Sequence, residues 1–600
     1  MNLKQEMQKA IELFTCGKTI DSLNLFRKLY LENPGNEDLI YNYAYVLGEL
    51  GEVKAEIELY DILLKKNSGN NYDVLINKSI ALMGLKNLDS AHNCIVEAIK
   101  KAPPKRYDAW EILGDIEYAR GEVVTACKSY QYFFKQIINE VDRENLEKFI
   151  DAAIFLLNLP GVYESKEAID SARNRYIENL ETAYKIAESL PEEVFKINNL
   201  GPRIAFKVNT FYLAYQQCDG DLLLNKKLVR LYQILLGERE FDYKKLPNAQ
   251  SPKQKKVLVI STFKYHPELF VFNQIKGFLN SNYELHYYGV NSSYQQSSLY
   301  ANFLKLKFNP DNYKKVIRLI QNQRFDLVFI PDIGMSIESR ILSTFKLGEK
   351  TFMNWLHPIS SGSPYVDYFL SGELMEGNHS DGRYSEQLIK LPGIGINFEI
   401  NKRKGEDIKS FELDRRFNIG CLQTPFKYHP DFDKIYPLLC LANPKIKFHF
   451  FDYHIKKFTE QLMDRLKKEF IKHGLAFENY MEIHPRILSR EKYLDHLAGY
   501  HLILDAQGWS GGNTTLDALN AATPIFSLYK EDGDIRQKHT SAILKLLGLE
   551  ECIYTNFDEM KIAIKSLMNS DNYNNLRKKF SIINYKFSSC NICDAIIRDR

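Results

Sequence analysis

The sequence has 600 residues, of which 45% are hydrophobic and 26% are charged, and this length predicts three or four domains with sizeable cores. The sequence contains 79 Lys and Arg residues and 76 Asp and Glu residues, which gives a formal net charge of +3. This balance excludes the strongly basic composition typical of a nucleic-acid or anionic-membrane binder. The N-terminus carries scattered charges and no apolar core, and no run approaches the length of a transmembrane helix. We therefore predict a cytoplasmic protein with no transmembrane segment and no nucleic-acid partner.

The nine cysteines are dispersed along the chain. Only Cys590 and Cys593 have the spacing of a metal-binding pair, and no second pair or nearby histidine cluster completes a zinc site. We predict reduced thiols and no metal ligands, as is usual in the cytosol.

A repeat of about 34 residues runs through the first 140 residues, with units that begin at positions 3, 37, 72 and 107. Small residues occupy the eighth position of the four units, namely Ala10, Ala44, Ser79 and Gly114. The twentieth position holds Ser22, Glu56, Ala91 and Ala126, of which only Glu56 departs from the pattern. This spacing is typical of tetratricopeptide (TPR) repeats, and predicts a helical solenoid over residues 1–138 whose groove binds a protein acceptor. The alternative is an array that only supports its neighbour.

Helical periodicity continues without the repeat over residues 139–250, which we interpret as an irregular helical connector. From there short apolar strands alternate with helices, in two series that predict two Rossmann-like halves, 251–398 and 399–600. The predicted strands are 257–261, 283–289, 327–332, 352–356, 365–370, 417–423, 446–451, 502–505 and 525–528. Two such doubly wound parallel sheets face one cleft, and ligands bind beyond the carboxyl ends of their strands.

Residues 502–529 read as a strand, a glycine-bearing loop, a helix that opens near Asn513 to Thr515, and a second strand. Gly511 and Gly512 let the backbone approach a ligand, and the helix start offers N–H groups and the positive end of a dipole. The loop matches neither the dinucleotide fingerprint nor the P-loop. On spacing alone, a phosphate site and an ordinary glycine turn remain equally open.

Polar side chains follow other strands at the same sheet edges. His266 and His357 follow strands of the first half, and Thr424 and Lys427 follow the first strand of the second half. A lysine at a strand end suits a diphosphate as a point charge, and a histidine suits proton transfer or a hydrogen bond to phosphate. Asp517, one turn after Asn513, is placed to accept a hydrogen bond from a ribose hydroxyl.

Four segments resemble a known family: KVLVISTFKYHP, WLHPISSGSPYVDYFLSG, RYSEQLIKLPG and LILDAQGWSGGNTTLDALNAATPIFSL. Together with the repeats they are similar to the protein O-linked N-acetylglucosamine transferases, the SPINDLY-type O-fucosyltransferases and the bacterial adhesin N-glucosyltransferases of glycosyltransferase family 41. The resemblance implies a TPR array followed by a GT-B fold.

The resemblance also implies roles for particular residues. His266 corresponds to the active-site histidine, Lys427 to the lysine on the donor diphosphate, and Thr424 to a polar residue near the leaving group. Asn513 and Thr514 correspond to the backbone and hydroxyl donors at the phosphate-binding helix start, and with them we expect Gly511, Gly512 and Thr515 to line the nucleotide-sugar site. Asp517 corresponds to the ribose-binding carboxylate, while His484 and Arg490 fall in the loop that holds the base. Tyr493 stands where the animal O-linked N-acetylglucosamine enzymes carry histidine. The His357-Pro358 pair resembles the histidine-proline pair of the N-glucosyltransferases.

The implied activity is an inverting transfer of N-acetylglucosamine or glucose from a UDP-sugar to Ser/Thr of a protein. No cofactor or metal is expected, because Asp532-Gly533-Asp534 lies beyond the phosphate loop and is not in the strand-end context of a metal-binding D-x-D motif. Three alternatives stay open: an N-glucosyltransferase acting on Asn, an O-fucosyltransferase using GDP-fucose, and a non-catalytic TPR scaffold that binds nucleotide. Homo-oligomerisation is left open as well.

Overall fold

The computed structural model describes residues 3–16, 19–66, 71–120, 122, 125–126, 128–129, 132–133, 136, 157–189, 192–196, 199–237, 255–262, 283–290, 302–304, 308–377, 380–400, 416–583 and 585–587. The chain divides into two compact units, Met1–Leu156 and Leu157–Arg600. None of the described helices combines the length and the apolar character needed to cross a bilayer.

The first unit is a succession of helices joined by short turns. Their bounds are Leu3–Thr15, Thr19–Glu32, Glu37–Glu49, Val53–Lys66, Tyr72–Gly84, Leu88–Lys100 and Asp108–Ala119. The predicted repeat starts at 3, 37 and 72 coincide with the first residues of three helices, and the start at 107 precedes a fourth by one residue. The predicted helical repeat array is thereby confirmed.

The small residues of the repeat lie where paired helices meet. Ala10, Ala44 and Ala91 are fully buried, and the Ser22 hydroxyl donates a hydrogen bond to the Ala10 carbonyl over 2.8 Å. Glu56, the one residue out of pattern, is also buried because Gly48 has no Cβ in the space that its carboxyl group occupies. Burial raises the pKa of Glu56 to about 7.

The second unit begins with the helices Lys166–Ser189, Glu192–Lys196, Leu200–Ala205 and Asp221–Leu236, and a 3₁₀ turn at Phe211–Gln216. These connector helices pack on the first α/β half. Asn225 donates to the carbonyl of Ser360 over 3.0 Å, and the Tyr313 hydroxyl donates to the carbonyl of Leu236 over 3.0 Å.

The first α/β half contains a seven-stranded parallel sheet in the order β3-β2-β1-β4-β5-β6-β7. Its strands are β1 (Lys255–Ser261), β2 (Tyr283–Gly289), β3 (Asn302–Leu304), β4 (Phe325–Phe329), β5 (Gly348–Asn354), β6 (Tyr368–Gly372) and β7 (Gln387–Leu391). The described helices of this half are Tyr313–Gln323 and Ile337–Leu342. Strand β1 is buried from Val257 to Ser261, as expected for a central strand covered on both faces.

The second half contains a six-stranded parallel sheet in the order β11-β10-β9-β12-β13-β14. Its strands are β9 (Phe417–Gly420), β10 (Ile446–Phe451), β11 (Met481–His484), β12 (Leu502–Leu504), β13 (Ile525–Leu528) and β14 (Ile553–Tyr554). The α-helices are Ile435–Ala442, Lys456–Lys472, Arg490–Ala498, Asn513–Asn520, His539–Leu546, Phe557–Ser566 and Ser570–Ile582. A small antiparallel pair joins β8 (Phe398–Ile400) to β15 (Tyr585–Phe587).

The order of a helical array and two parallel sheets confirms the predicted fold class. The predicted strands 283–289, 446–451 and 525–528 have the observed bounds, whereas 327–332 ends at Phe329 and 352–356 ends at Asn354. The four-part division at residues 138, 250 and 398 remains a prediction.

Candidate functional site

The candidate site is built on β9 and β12, which are neighbours in the second sheet. Lys427 lies in the 3₁₀ turn Pro425–Lys427 after β9, and the loop after β12 leads into the helix Asn513–Asn520. Gln423 links the two: its side-chain amide donates to the Thr514 hydroxyl over 2.6 Å and accepts from Lys427 Nζ over 3.0 Å. The structure therefore brings Lys427 next to the predicted phosphate loop.

Asp505 organises that loop from the end of β12. It is 2% exposed, and its carboxylate accepts hydrogen bonds from the Gly511 N–H over 2.9 Å and the Ser510 hydroxyl over 2.7 Å. Burial raises the pKa of Asp505, while these hydrogen bonds and the charge of Lys427 oppose the shift. The negative carboxylate thus holds the loop in one conformation and attracts the Lys427 ammonium.

Hydrogen bonds of the Thr515 hydroxyl hold the start of the helix Asn513–Asn520 in place. The Thr515 hydroxyl donates to the Gly511 carbonyl over 2.7 Å and lies 2.7 Å from the Thr540 hydroxyl. Within the described part of the chain, no side chain caps the N–H groups of the first turn. Those N–H groups and the helix dipole are suited to an anion.

Lys427 is a partly buried cation. Burial lowers the pKa of its ammonium group to about 8, and the Coulomb attraction of Asp505 opposes this shift. The side chain is therefore charged at neutral pH, in surroundings where a second anion would stabilise it further.

Asp517 and Arg490 also lie together. Arg490 Nη2 is 2.8 Å from Asp517 Oδ1, and Arg490 begins the helix Arg490–Ala498. Burial raises the pKa of Asp517, and Arg490 opposes that shift. The pair thus fixes one carboxylate oxygen of the residue predicted to bind ribose.

His357 lies in the first half, beyond the end of β5. Its Nδ1 is 3.1 Å from the carbonyl of Ile333, which only accepts hydrogen bonds, so Nδ1 carries the proton. Burial, followed by the charge of Arg340, lowers the pKa of His357 to about 3, and the ring is neutral. Its Nε2 has no hydrogen-bond partner among the described residues and is an available acceptor.

Gly334 makes room for this histidine. It has φ +91°, and a Cβ there would lie 2.9 Å from His357 Nδ1. The positive charge of Lys427, in the second half, also lowers the pKa of His357, in the first half. The two side chains are therefore close enough to interact electrostatically.

The two remaining predictions have different outcomes. Thr424 precedes the Lys427 turn, and its hydroxyl is buried without a hydrogen-bond partner among the described residues. His266 lies outside the described residues.

A segment of the connector also reaches this region, which the sequence did not predict. The Tyr215 ring stacks on Trp509 at 4.1 Å and contacts Phe426 edge-on at 4.5 Å. Gln217, with φ +55°, donates from its side chain to the Lys427 carbonyl over 3.2 Å. The connector thus helps to position both the lysine turn and the glycine loop.

Arg536 joins the same elements and was also missed. Its guanidinium contacts Asp221 and Asp534, each at 2.9 Å, and donates to the Ala214 carbonyl over 2.9 Å. Its own carbonyl accepts from the Ser510 N–H over 2.7 Å. Trp509 and Asp505 stand within the stretch that the sequence singled out. Arg536 carries no such signal, because two of its partners, Asp221 and Ala214, are more than 300 residues away in sequence.

No family model matches the chain. Among solved structures it is similar to a mutant of the Thermobaculum terrenum O-GlcNAc transferase, with a TM-score of 0.57, 14% identity, and coverage of 91% of this chain and 92% of that chain. This likeness shows the fold, a TPR array followed by a GT-B fold.

Two curated proteins are similar over shorter stretches. A TPR repeat-containing protein of Methanocaldococcus jannaschii is 36% identical over 118 residues. A probable UDP-N-acetylglucosamine–peptide N-acetylglucosaminyltransferase SPINDLY of Solanum lycopersicum is 21% identical over 287 residues, which are 46% of this chain. The aligned parts span 20% and 29% of the length of these relatives. With the structural neighbour, they confirm the resemblance to O-GlcNAc transferase and SPINDLY proteins.

Proposed function

We propose that this chain is a protein glycosyltransferase that moves N-acetylglucosamine or glucose from a UDP-sugar to a Ser/Thr side chain, with inversion and without a metal. The observation that carries the proposal is the chain of contacts Lys427–Gln423–Thr514, which sets a cation beside an uncapped helix start at adjacent strand ends. A diphosphate matches this arrangement in charge and in hydrogen-bonding capacity.

In the proposed reaction the acceptor hydroxyl attacks the anomeric carbon of the sugar. The new C–O bond forms as the bond from that carbon to the nucleoside diphosphate breaks, and negative charge develops on the leaving phosphate oxygen. Lys427 and the N–H groups of residues 512–515 stabilise this charge, which removes the need for a divalent cation. The hydroxyl proton passes to a base, for which His266 and the neutral Nε2 of His357 are the candidates.

Three other proposals compete with this one. An Asn acceptor is favoured by the His357-Pro358 pair, which resembles that of the N-glucosyltransferases. A GDP-fucose donor is favoured by the resemblance of the sequence motifs to the SPINDLY-type O-fucosyltransferases. A non-catalytic scaffold would bind nucleotide on the same loop without turnover. The TPR groove would hold the acceptor protein in each of the catalytic cases.

The deciding experiment incubates the full chain with UDP-N-acetylglucosamine, UDP-glucose or GDP-fucose and a protein lysate, with and without EDTA, and measures acceptor masses. An N-acetylhexosamine or hexose increment that persists in EDTA supports the proposal, and site mapping separates Ser/Thr from Asn. A deoxyhexose increment supports the fucosyl alternative. Nucleotide binding with no increment on any protein supports the scaffold.

The pH dependence of the reaction should follow the ionisation of Lys427. Its pKa of about 8 lies below the ordinary value of 10.5, so the active cation is complete below pH 8 and is lost as the pH rises above it. We expect kcat/KM to fall about tenfold per pH unit above that value. Lys427→Arg, whose guanidinium stays charged, should abolish the fall.

If Lys427→Arg is inactive, the affinity of the unmodified chain for UDP provides the second measurement. Calorimetry should show the same weakening above pH 8. A flat profile to pH 10 in both measurements would exclude Lys427 as the titrating cation.

Replacing Gly511 by alanine is expected to weaken UDP binding by about tenfold or more, roughly 1.4 kcal/mol. Its Cβ would lie 2.2 Å from the Thr514 hydroxyl and 2.3 Å from the Gln423 amide, so the link between them must open. Gly382→Ala is the matched control, because Gly382 lies outside the glycine loop and a Cβ there would meet nothing within 4 Å among the described residues. Calorimetry on both variants checks the difference, and equal affinities would contradict the role assigned to the loop.

A further inference from the structure

A second group of polar side chains lies on β10 and β11, away from the strands that carry Lys427 and the glycine loop. His449 is paired in register with Glu482, and Phe451 with His484. Because side chains alternate along a strand, Glu482 and His484 share one face of β11. One ligand atom of each of His449, Glu482 and His484 lies within 4.8 Å of the others.

The hydrogen bonds of His449 define its tautomer. Its Nε2 is 2.9 Å from Asn418 Oδ1, an amide oxygen that only accepts, so Nε2 carries the proton. The lone pair of Nδ1 then points toward His484 Nε2, which is 2.9 Å away. An imidazole held by an amide or carboxylate oxygen through its other nitrogen is the usual arrangement of a metal-ligating histidine.

The protonation states also suit metal binding. Burial, followed by the nearby His484, lowers the pKa of His449 to about 3, and burial also lowers that of His484, so both rings are neutral at pH 7. A hydrogen bond from Lys447 lowers the pKa of Glu482, which is ionised. In the metal-free chain His484 Nε2 donates to the His449 Nδ1 lone pair. With His484 in its other neutral tautomer, protonated on Nδ1, the three groups offer two neutral nitrogens and one carboxylate.

We propose that His449, His484 and Glu482 bind a divalent transition-metal ion of the Zn²⁺ class, with water completing a tetrahedron. With Zn–N distances of about 2.0–2.1 Å, two tetrahedral nitrogen ligands lie roughly 3.3 Å apart. The observed 2.9 Å between His449 Nδ1 and His484 Nε2 is close to this separation. The Glu482 oxygens, at 3.7 Å from His484 and 3.9 Å from His449, reach the ion by a small side-chain rotation.

The surroundings allow an ion to reach the site. The side chains of Glu482 and His484 are 40% and 15% exposed, whereas His449 is buried. The competing ion pair of Glu482 with Lys447, at 2.5 Å, is partly exposed, and solvent screening weakens it. The sequence did not reveal the group, because His449 and His484 stand on different strands, 35 residues apart.

The metal would stabilise the β10–β11 side of the sheet and take no part in the proposed transfer. The groups assigned to the diphosphate follow β9 and β12. His484 also falls in the loop that the resemblance assigns to the nucleotide base, so Glu482→Gln, and not His484→Gln, separates loss of metal binding from loss of glycosyl transfer. Failure of either proposal leaves the other standing.

The test uses the full chain, stripped with EDTA and titrated with Zn²⁺ by calorimetry, and with Co²⁺ by visible absorption. We expect one high-affinity ion per chain, tetrahedral Co²⁺ bands, and at least tenfold weaker binding in His484→Gln and in Glu482→Gln. The matched control is His473→Gln, since His473 is a partly exposed histidine outside the group whose Nδ1 contacts the Glu469 carbonyl at 2.9 Å. The control should bind as the unmodified chain does.

Absence of a stoichiometric Zn²⁺ site would overturn the proposal and leave a hydrogen-bonded histidine pair only. Unchanged affinity in both variants would also overturn it, since the ion would then be held elsewhere. If His484→Gln fails to fold, Glu482→Gln decides, because its partly exposed carboxylate can be replaced by an amide of the same shape. A Zn²⁺-dependent rise in Tm that is lost in the variants provides a second measurement.

Discussion

Replacing Lys427 by alanine is expected to lower kcat by about 10²–10³-fold, the usual cost of removing one group that stabilises transition-state charge. Hydrogen bonds connect this lysine to the predicted phosphate loop: Lys427 donates to Gln423, which in turn donates to Thr514. Its substitution removes little packing, since Lys427 ends a short 3₁₀ turn whose buried residues are Pro425 and Phe426. Transfer from a radiolabelled UDP-sugar measures the effect.

Lys434→Ala is the control for this variant. Lys434 is an exposed lysine a few residues further along the same segment, and we expect its loss to leave kcat unchanged. Unfolding followed by circular dichroism should give all three proteins similar midpoints. Full activity of the folded Lys427 variant would refute the assignment of this residue to the leaving group.

Arg536→Met should lower the free energy of unfolding of the second unit by about 3–5 kcal/mol, as expected when one partner of a buried ion pair is removed. The guanidinium side chain is 6% exposed and has two carboxylate partners, Asp221 and Asp534. Asp221 keeps its contact with Arg173 at 2.6 Å, but Asp534 and the carbonyl of Ala214 lose theirs. The backbone hydrogen bond from the Ser510 N–H to the carbonyl of residue 536 is kept in this variant, so the loss concerns the guanidinium contacts.

Urea unfolding followed by tryptophan fluorescence measures this effect. Of the three tryptophans, Trp355 and Trp509 report on the second unit, so a Trp110→Phe background removes the signal of the first. Arg383→Met is the control, because among the described residues its exposed guanidinium has only long hydrogen bonds, of 3.3 Å, to the carbonyls of Asp532 and Gly533. A loss below about 1 kcal/mol in Arg536→Met would contradict the argument.

Much of the fold was predictable because the signals are local. The 34-residue spacing identified the helical array, and apolar runs located β2, β10 and β13 at their observed bounds. Strands β3, β8, β14 and β15 were missed because two or three residues are too short to show a period. Strands β7 and β11 were also missed, because these edge strands contain few buried residues. The strand ends of β4 and β5 were placed too late, because buried apolar residues continue past the last paired residue.

The candidate site likewise combines features that the local sequence predicts with contacts that only the three-dimensional structure reveals. The positions of Lys427 and Gly511 at adjacent strand ends were predictable from the alternation of strands and helices, and their binding role remains a prediction. Gln423 lies between Lys427 and Thr514, and only the three-dimensional structure reveals that link. The contact of Gln217 with the Lys427 carbonyl joins residues 210 positions apart, and no local pattern encodes it.

The insertion of Tyr215 and Gln217 beside the lysine turn bears on how a shortened protein should be designed for crystallisation. A fragment that starts at residue 251 would contain both sheets, yet it would uncover the rings of Trp509 and Phe426 and deprive Arg536 of Asp221. Such a fragment would expose apolar surface and aggregate more readily. A fragment that starts at Leu157 keeps these partners and is the shorter form to express.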